Sequence, residues 1–200
     1  EDVLDPRDVV VVLRLLVDHG PHVSGAVNTI VTSRAGRDLV SSLAAGILTV
    51  GPRFGGAIND AAANWLEGVN GGISADEFVE SYATKNKYIL GIGHRKYRID
   101  MPEGFEKKRY TAFALSVEKV TTAKKGNLIL NVDGAIAAVL LDILSEKEGY
   151  SDEELKRLTE IEFFNALFVL SRSVGFIAHF LDQKRLDEGL FRLEDQHVVS

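Results

Sequence analysis

Two Ser-x-x-Glu sequences, Ser74-Ala75-Asp76-Glu77 and Ser151-Asp152-Glu153-Glu154, constrain this chain more than anything else in it. In such a pair the serine oxygen accepts the third backbone N–H of a helix while the glutamate reaches back to the serine's own N–H. Two orphan donors are satisfied at once, so each pair marks a helix start. The pairs predict helices over about 75–86 and 152–170.

Other breaks repeat the message. Asp5-Pro6 reads as an N-cap with proline at the first helical position, and Gly20-Pro21 stops the run from Asp8 to Asp18. Ser24 is expected to cap 25–35, with Gly36 ending it, and 39–50 runs to Gly51-Pro52. The stretch from Met101 to Lys107, holding Pro102 and Gly104, reads as a loop. No alternating run joined by Asn-Gly or Asp-Gly suggests a hairpin. Small residues recur in Ser41-Ser42-Leu43-Ala44-Ala45-Gly46, Gly55-Gly56-Ala57 and Ala61-Ala62-Ala63, and they let helix axes approach closely. The fold class is all-α. With 46% hydrophobic residues in 200 and no evident boundary, residues 1–200 read as one domain.

The most apolar stretch, Phe163 to Leu181, is long enough to span a bilayer. It carries Asn165, Arg172 and His179, with Glu160 and Glu162 just ahead, a polar stripe that suits a helix buried in protein. No membrane association is expected. Nor is nucleic acid a natural partner for a chain of net charge −6. That charge is uneven: Lys85 to Lys125 holds 11 Lys or Arg against 4 Asp or Glu. The stretch fits either a small polyanionic ligand or the solvated faces of surface helices. The chain has no cysteine, which excludes disulfides, thiolate metal sites and a cysteine nucleophile. No metal site is expected. The chain opens on Glu1-Asp2 and reads as a piece of a longer polypeptide.

Three segments place a titratable group at a break between glycines and an apolar run: Asp18-His19-Gly20-Pro21, Gly91-Ile92-Gly93-His94-Arg95 and Asn131-Val132-Asp133-Gly134. Two imidazoles and a carboxylate suffice to make or break a carbon–carbon bond beside a carbonyl. One polarises an oxygen, one moves a hydroxyl proton and one moves a proton at carbon. Asp133 opens a near-continuous apolar run. The helix N-terminus favours its charged form and desolvation opposes it, a balance that suits a catalytic base. The alternative is that Asp133 or Asn131 merely caps the helix. Gly91 and Gly93 let backbone approach a ligand with His94 at the end, and Arg95, Lys96 and Arg98 follow. Arg172 sits in an apolar run and needs an anion, supplied by a buried ion pair or by a substrate carboxylate. His179 reads as a satisfied core histidine, His22 and His197 as surface residues.

Taken together, these segments resemble the C-terminal part of the ATP-citrate lyase family. Asp18-His19-Gly20-Pro21 with Ser24-Gly25-Ala26, Arg53-Phe54-Gly55-Gly56-Ala57, Gly91–Arg95, Thr121–Lys125, Asn127–Gly134, and Gly175-Phe176-Ile177 with His179 and Leu181–Leu186 carry the likeness, in the family's order and over nearly the whole chain. The resemblance implies a citrate-synthase-like helical bundle, N-terminally incomplete, that cleaves citryl-CoA to acetyl-CoA and oxaloacetate. It implies His94 as the group that takes the hydroxyl proton and Asp133 as the acid that returns a proton to carbon. His19 then holds citryl or oxaloacetate oxygens. Arg172 matches an arginine that binds substrate carboxylate, and Arg192 one that reaches the neighbouring subunit's site. Lys124 and Lys125 fall at a pair used for the phosphates of coenzyme A, a substrate here. ATP and Mg belong to an upstream CoA-synthetase-like half. Citrate is the family's starting substrate, and a cytoplasmic homo-oligomer, dimer or tetramer, is expected.

The departures are informative. Citrate synthases carry a histidine in the segment matching Gly51–Gly55, where this chain has Phe54, which favours the lyase branch. Phe105 stands where the family usually has a citrate-binding arginine; either Arg98 or Arg109 substitutes or this carboxylate contact is missing, and the role stays unassigned. Two other functions remain open: a non-catalytic oligomerisation and CoA-binding core, and a citrate synthase.

Overall fold

The computed structural model describes residues 6–51, 55–93 and 108–192, without the side chains of 6–9 and 11. The elements among the described residues are helices, with no strand, and an isolated antiparallel bridge joins Ile92 and Leu130. The all-α reading holds. In chain order the helices are α1 (Pro6–Leu16), α2 (Ser24–Arg34), α3 (Leu39–Ile47), α4 (Ala57–Asn70), α5 (Ala75–Thr84), α6 (Arg109–Lys124), α7 (Val132–Asp142), α8 (Asp152–Glu160) and α9 (Phe163–Leu186). A π-helical turn, Ile143–Lys147, continues α7.

Both capping boxes form as the sequence predicts, Ser74 with Glu77 and Ser151 with Glu154. Several boundaries differ: α3 ends at Ile47, short of the expected 50, and two other differences have a visible cause. The α2 cap is Val23, not Ser24: Val23 is extended and its carbonyl already accepts Val27 N–H at 2.9 Å, so Ser24 lies inside the helix. The expected single helix over 152–170 is two, because Glu162 adopts φ +58° and breaks the run. Side chains from elsewhere secure that break. Asn59 Nδ2 on α4 donates to Thr159 O at 2.8 Å, and Asn165 Oδ1 accepts Asn59 N–H at 3.1 Å.

The chain divides into two compact units, one of residues 1–9 and 55–166, the other of 10–54 and 167–200. In the first, α4 packs on α6, α7 and α8, and α5 on α6. Its centre holds the fully buried Trp65, Phe78, Tyr110, Leu140, Leu141 and Phe164. Trp65, Phe78 and Phe113 form a triangle of rings, Trp65 6.3 Å from each phenylalanine and the two phenylalanines 5.3 Å apart. Gly68 leaves space for that cluster, since a methyl there would lie 2.3 Å from the Phe113 ring.

Helix α6 has no side-chain cap from the residue before it. Asp142, buried at the end of α7, replaces it, accepting from Tyr110 N–H at 2.7 Å, Thr111 N–H at 2.9 Å and the Thr111 hydroxyl. Asp142→Ala leaves these donors buried without that acceptor and is expected to destabilise the protein by about 3 kcal/mol. Denaturant titration reads this directly, and an unshifted midpoint would remove Asp142 from this role. Arg109 ties the starts of α6 and α8 together, bonding both Asp152 carboxylate oxygens at 3.0 and 3.3 Å and Asn70 Oδ1 at 2.7 Å.

In the second unit, α2 and α3 pack closely. Methyls on Gly25 and Gly46 would lie 2.2 and 2.8 Å from the buried Phe176 ring, so two glycines admit one aromatic side chain. Helix α9 is the one helix among the described residues long and apolar enough to cross a membrane. Its polar residues Ser171 and His179 bond to the first part of the chain, which favours a core helix.

Candidate functional site

In the first unit the Gly91–Gly93 segment lies against residues 129–131. Gly93 N–H donates to Ile129 O at 2.6 Å and Asn131 N–H to Gly91 O at 3.0 Å. Both glycines have positive φ, +96° and +101°, a region that L side chains rarely adopt. Gly91 also has no space for a side chain: a methyl would meet Gly134 Cα at 2.9 Å and Ala61 Cβ at 3.0 Å. The reciprocal contact is tighter still, 2.4 Å from a Gly134 methyl to Gly91 O. Trp65 Nε1 donates to Gly134 O at 3.0 Å and fixes the same point from α4.

Asn131 uses both ends of its amide. Its Oδ1 accepts Gly134 N–H at 3.0 Å and caps α7, while Nδ2 donates to Gly93 O at 3.2 Å. The cap is therefore Asn131, with Asp133 in the first turn of α7. Asp133 is half-buried, and the rest of α7 is buried almost all round, as its apolar run predicts. The positive end of the helix dipole favours a carboxylate here. His94 follows Gly93 directly in the chain, so the Asn131 amide links the residue before it to the helix that bears Asp133. His94 itself, with Arg95, Lys96, Arg98 and Phe105, lies outside the described residues, as do Arg53, Phe54 and His197.

Lys124 and Lys125 are exposed at the end of α6. Lys124 pairs with Glu80 at 3.6 Å, an exposed contact of little strength. The turn beyond them is fixed: Leu128 N–H donates to Lys125 O at 2.9 Å, Thr121 Oγ1 to Leu128 O at 2.7 Å, and Leu130 N–H to Glu118 Oε1 at 3.0 Å. The two ammonium groups thus stand on a braced turn leading into the Asn131 cap. Of the two candidates for the missing citrate-binding arginine, Arg109 is already engaged with Asp152 and Asn70.

The second unit holds His19, Arg172 and Arg192. His19 is exposed, on the loop after α1. Arg172 is buried on α9 at 5% exposure, its guanidinium 4.9 Å from the Phe168 ring centre. Arg192 is exposed and follows a segment held by Arg34: Arg34 Nε donates to Gly189 O at 2.6 Å, its Nη2 lies 3.5 Å from Glu188, and the group stacks over Phe191. His22 is on the surface, as expected. His179 is partnered, its Nε2 lying 3.0 Å from Asp18 Oδ1. Sequence reasoning passed over Arg34 and Asp18. A partner more than 150 positions away leaves no local trace, although Asp18 stood beside a singled-out histidine.

The citrate synthase, C-terminal domain, family matches residues 7–194. The chain belongs to that family. Within the citrate synthase family, a probable ATP-citrate synthase from Caenorhabditis elegans is 50% identical over 195 residues, covering 90% of this chain and 18% of that protein. ATP citrate lyase from Methanothrix soehngenii, solved in complex with citrate and coenzyme A, is 42% identical with a TM-score of 0.88, over 97% of this chain and 33% of its own. Citryl-CoA lyase from Hydrogenobacter thermophilus is 28% identical with a TM-score of 0.74, over 97% of this chain and 75% of its own. This chain of the citrate synthase family therefore spans under a fifth of the nematode relative and a third of the Methanothrix one.

Proposed function

We propose that the chain is the citryl-CoA-cleaving module of an ATP-citrate lyase, releasing acetyl-CoA and oxaloacetate. The observation that carries this reading is the Asn131 amide, which caps α7 beneath Asp133 and holds Gly93 beside it. A proton-moving carboxyl and the segment leading to His94 are thereby set in one braced region of a chain similar to a citrate- and CoA-binding lyase. In the reaction His94 takes the proton of the tertiary hydroxyl. The carbon–carbon bond breaks, its electrons passing into the acetyl-CoA enolate as the alkoxide becomes the ketone of oxaloacetate. Protonated Asp133 then gives its proton to the enolate carbon.

His19 and Arg172 bind the oxaloacetate end, the arginine as a bidentate partner for carboxylate. Lys124 and Lys125 hold phosphates of coenzyme A. Arg192 serves the site of a neighbouring subunit, which makes the working state a homo-oligomer. Its exposure and the anchoring of the preceding segment by Arg34 support that outward role.

The test is oxaloacetate release from citryl-CoA by the full-length protein, beside calorimetry with coenzyme A. Release at an enzymatic rate is expected. Coenzyme A binding without release would make the chain a scaffold, and condensation of acetyl-CoA with oxaloacetate faster than cleavage would make it a synthase.

A further inference from the structure

Ser171, Gly175 and His179 stand four residues apart on α9 and so share one face. Each meets α1 or the loop that follows it. The Ser171 hydroxyl donates to Leu13 O. A methyl on Gly175 would lie 1.9 Å from Val17 O and 3.7 Å from Asp18 Cα, so only glycine allows the α9 backbone this close. One turn further on, His179 Nε2 lies 3.0 Å from Asp18 Oδ1, with the imidazole 15% exposed and the carboxylate 48%.

Asp18 immediately precedes His19, and the chain turns one residue further on at Gly20, φ +84°. Burial raises the Asp18 pKa, but the His179 hydrogen bond and the neighbouring His19 and Gly20 amides outweigh it, and the net shift is downward. The carboxylate that α9 holds thus belongs to the residue next to His19, at the start of the turn that carries it.

We propose that His179 is a positioning residue: acting through Asp18, it fixes the loop that presents His19 and so sets affinity for the oxaloacetate end of the substrate. The inference rests on the reading of His19 given above. It assigns His179 a task that the role of a satisfied core histidine does not contain, and it predicts a ligand-selective effect. A purely structural residue would weaken both ends of the site together.

The experiment compares His19→Ala, His179→Ala, His179→Gln and the His19→Ala/His179→Ala double variant in the full-length protein. Oxaloacetate and coenzyme A affinities are measured by calorimetry, with thermal unfolding alongside. His179→Ala is expected to weaken oxaloacetate binding about tenfold, the scale of a lost hydrogen bond to a charged group, and to leave coenzyme A binding unchanged. Gln, which can still present an N–H to Asp18, recovers most of the loss. The double variant is expected to be no weaker than His19→Ala alone, because the second residue acts through the first. If His179→Ala does not fold, Asp18→Asn enters the same cycle with the same expectation. Wild-type oxaloacetate affinity in His179→Ala beside a defective His19→Ala, or two losses that multiply, overturns the inference alone. Wild-type affinity in His19→Ala overturns the assignment of His19 and this inference with it.

Discussion

Asp133→Asn is expected to lower citryl-CoA cleavage by roughly 10²–10⁴-fold, the usual contribution of a positioned acid or base, and to leave coenzyme A affinity unaltered. The amide has the same shape but cannot hand a proton to the acetyl-CoA enolate. The α7 cap itself is kept, because the Asn131 side chain makes it. This variant therefore separates chemistry from architecture. Single-turnover oxaloacetate release with calorimetry in parallel reads it, and intact turnover would remove Asp133 from the reaction.

Gly134→Ala sets two principles against each other. Helix propensity favours alanine over glycine by up to ~1 kcal/mol. Packing opposes it, because the added methyl would lie 2.4 Å from Gly91 O and 2.8 Å from Gly91 Cα, and neither backbone atom can rotate away. Overpacking of this kind typically costs about 1–3 kcal/mol, so a net loss of stability is expected. The loss of activity should be larger. Relief requires the Gly91–Gly93 segment to move away from α7, and His94 must follow Gly93. A misplacement of ~1 Å can cost on the order of 10²-fold in rate. Thermal unfolding and cleavage rates on the same preparation give both numbers, and a variant more stable and fully active would show that the segment yields freely.

The helical class and its punctuation were readable because the signals are local. A capping box spans four residues, and both boxes form between the residues that spell them. The near-continuous apolar run after Asp133 likewise specified a buried helix, and Arg172 is buried where the sequence put it among apolar neighbours. Most of the failures share one cause, the supply of a partner from a distant element; the α2 boundary is a local exception. Ser24 has the right chemistry for a cap, yet the chain enters α2 one residue earlier, at Val23. The capping of α6 cannot be read near Lys108, because the acceptor is Asp142 on α7. The break at Glu162 is stabilised from α4 by Asn59. At the candidate site, the glycines and Asp133 were legible as types, while the reason they lie together, the divided amide of Asn131, was not. Arg109 stood as a possible carboxylate binder, and its pairing with Asp152, 43 positions away, was not legible.

The carboxylate of Asp142 also bears on how the protein comes apart. Because it closes the first turn of α6 from the last residue of α7, neither helix can fray at that junction while the other stays intact. The Tyr110 and Thr111 amides should therefore exchange with solvent only in the same slow opening that exposes the end of α7, so that two segments distant in sequence melt as one cooperative block.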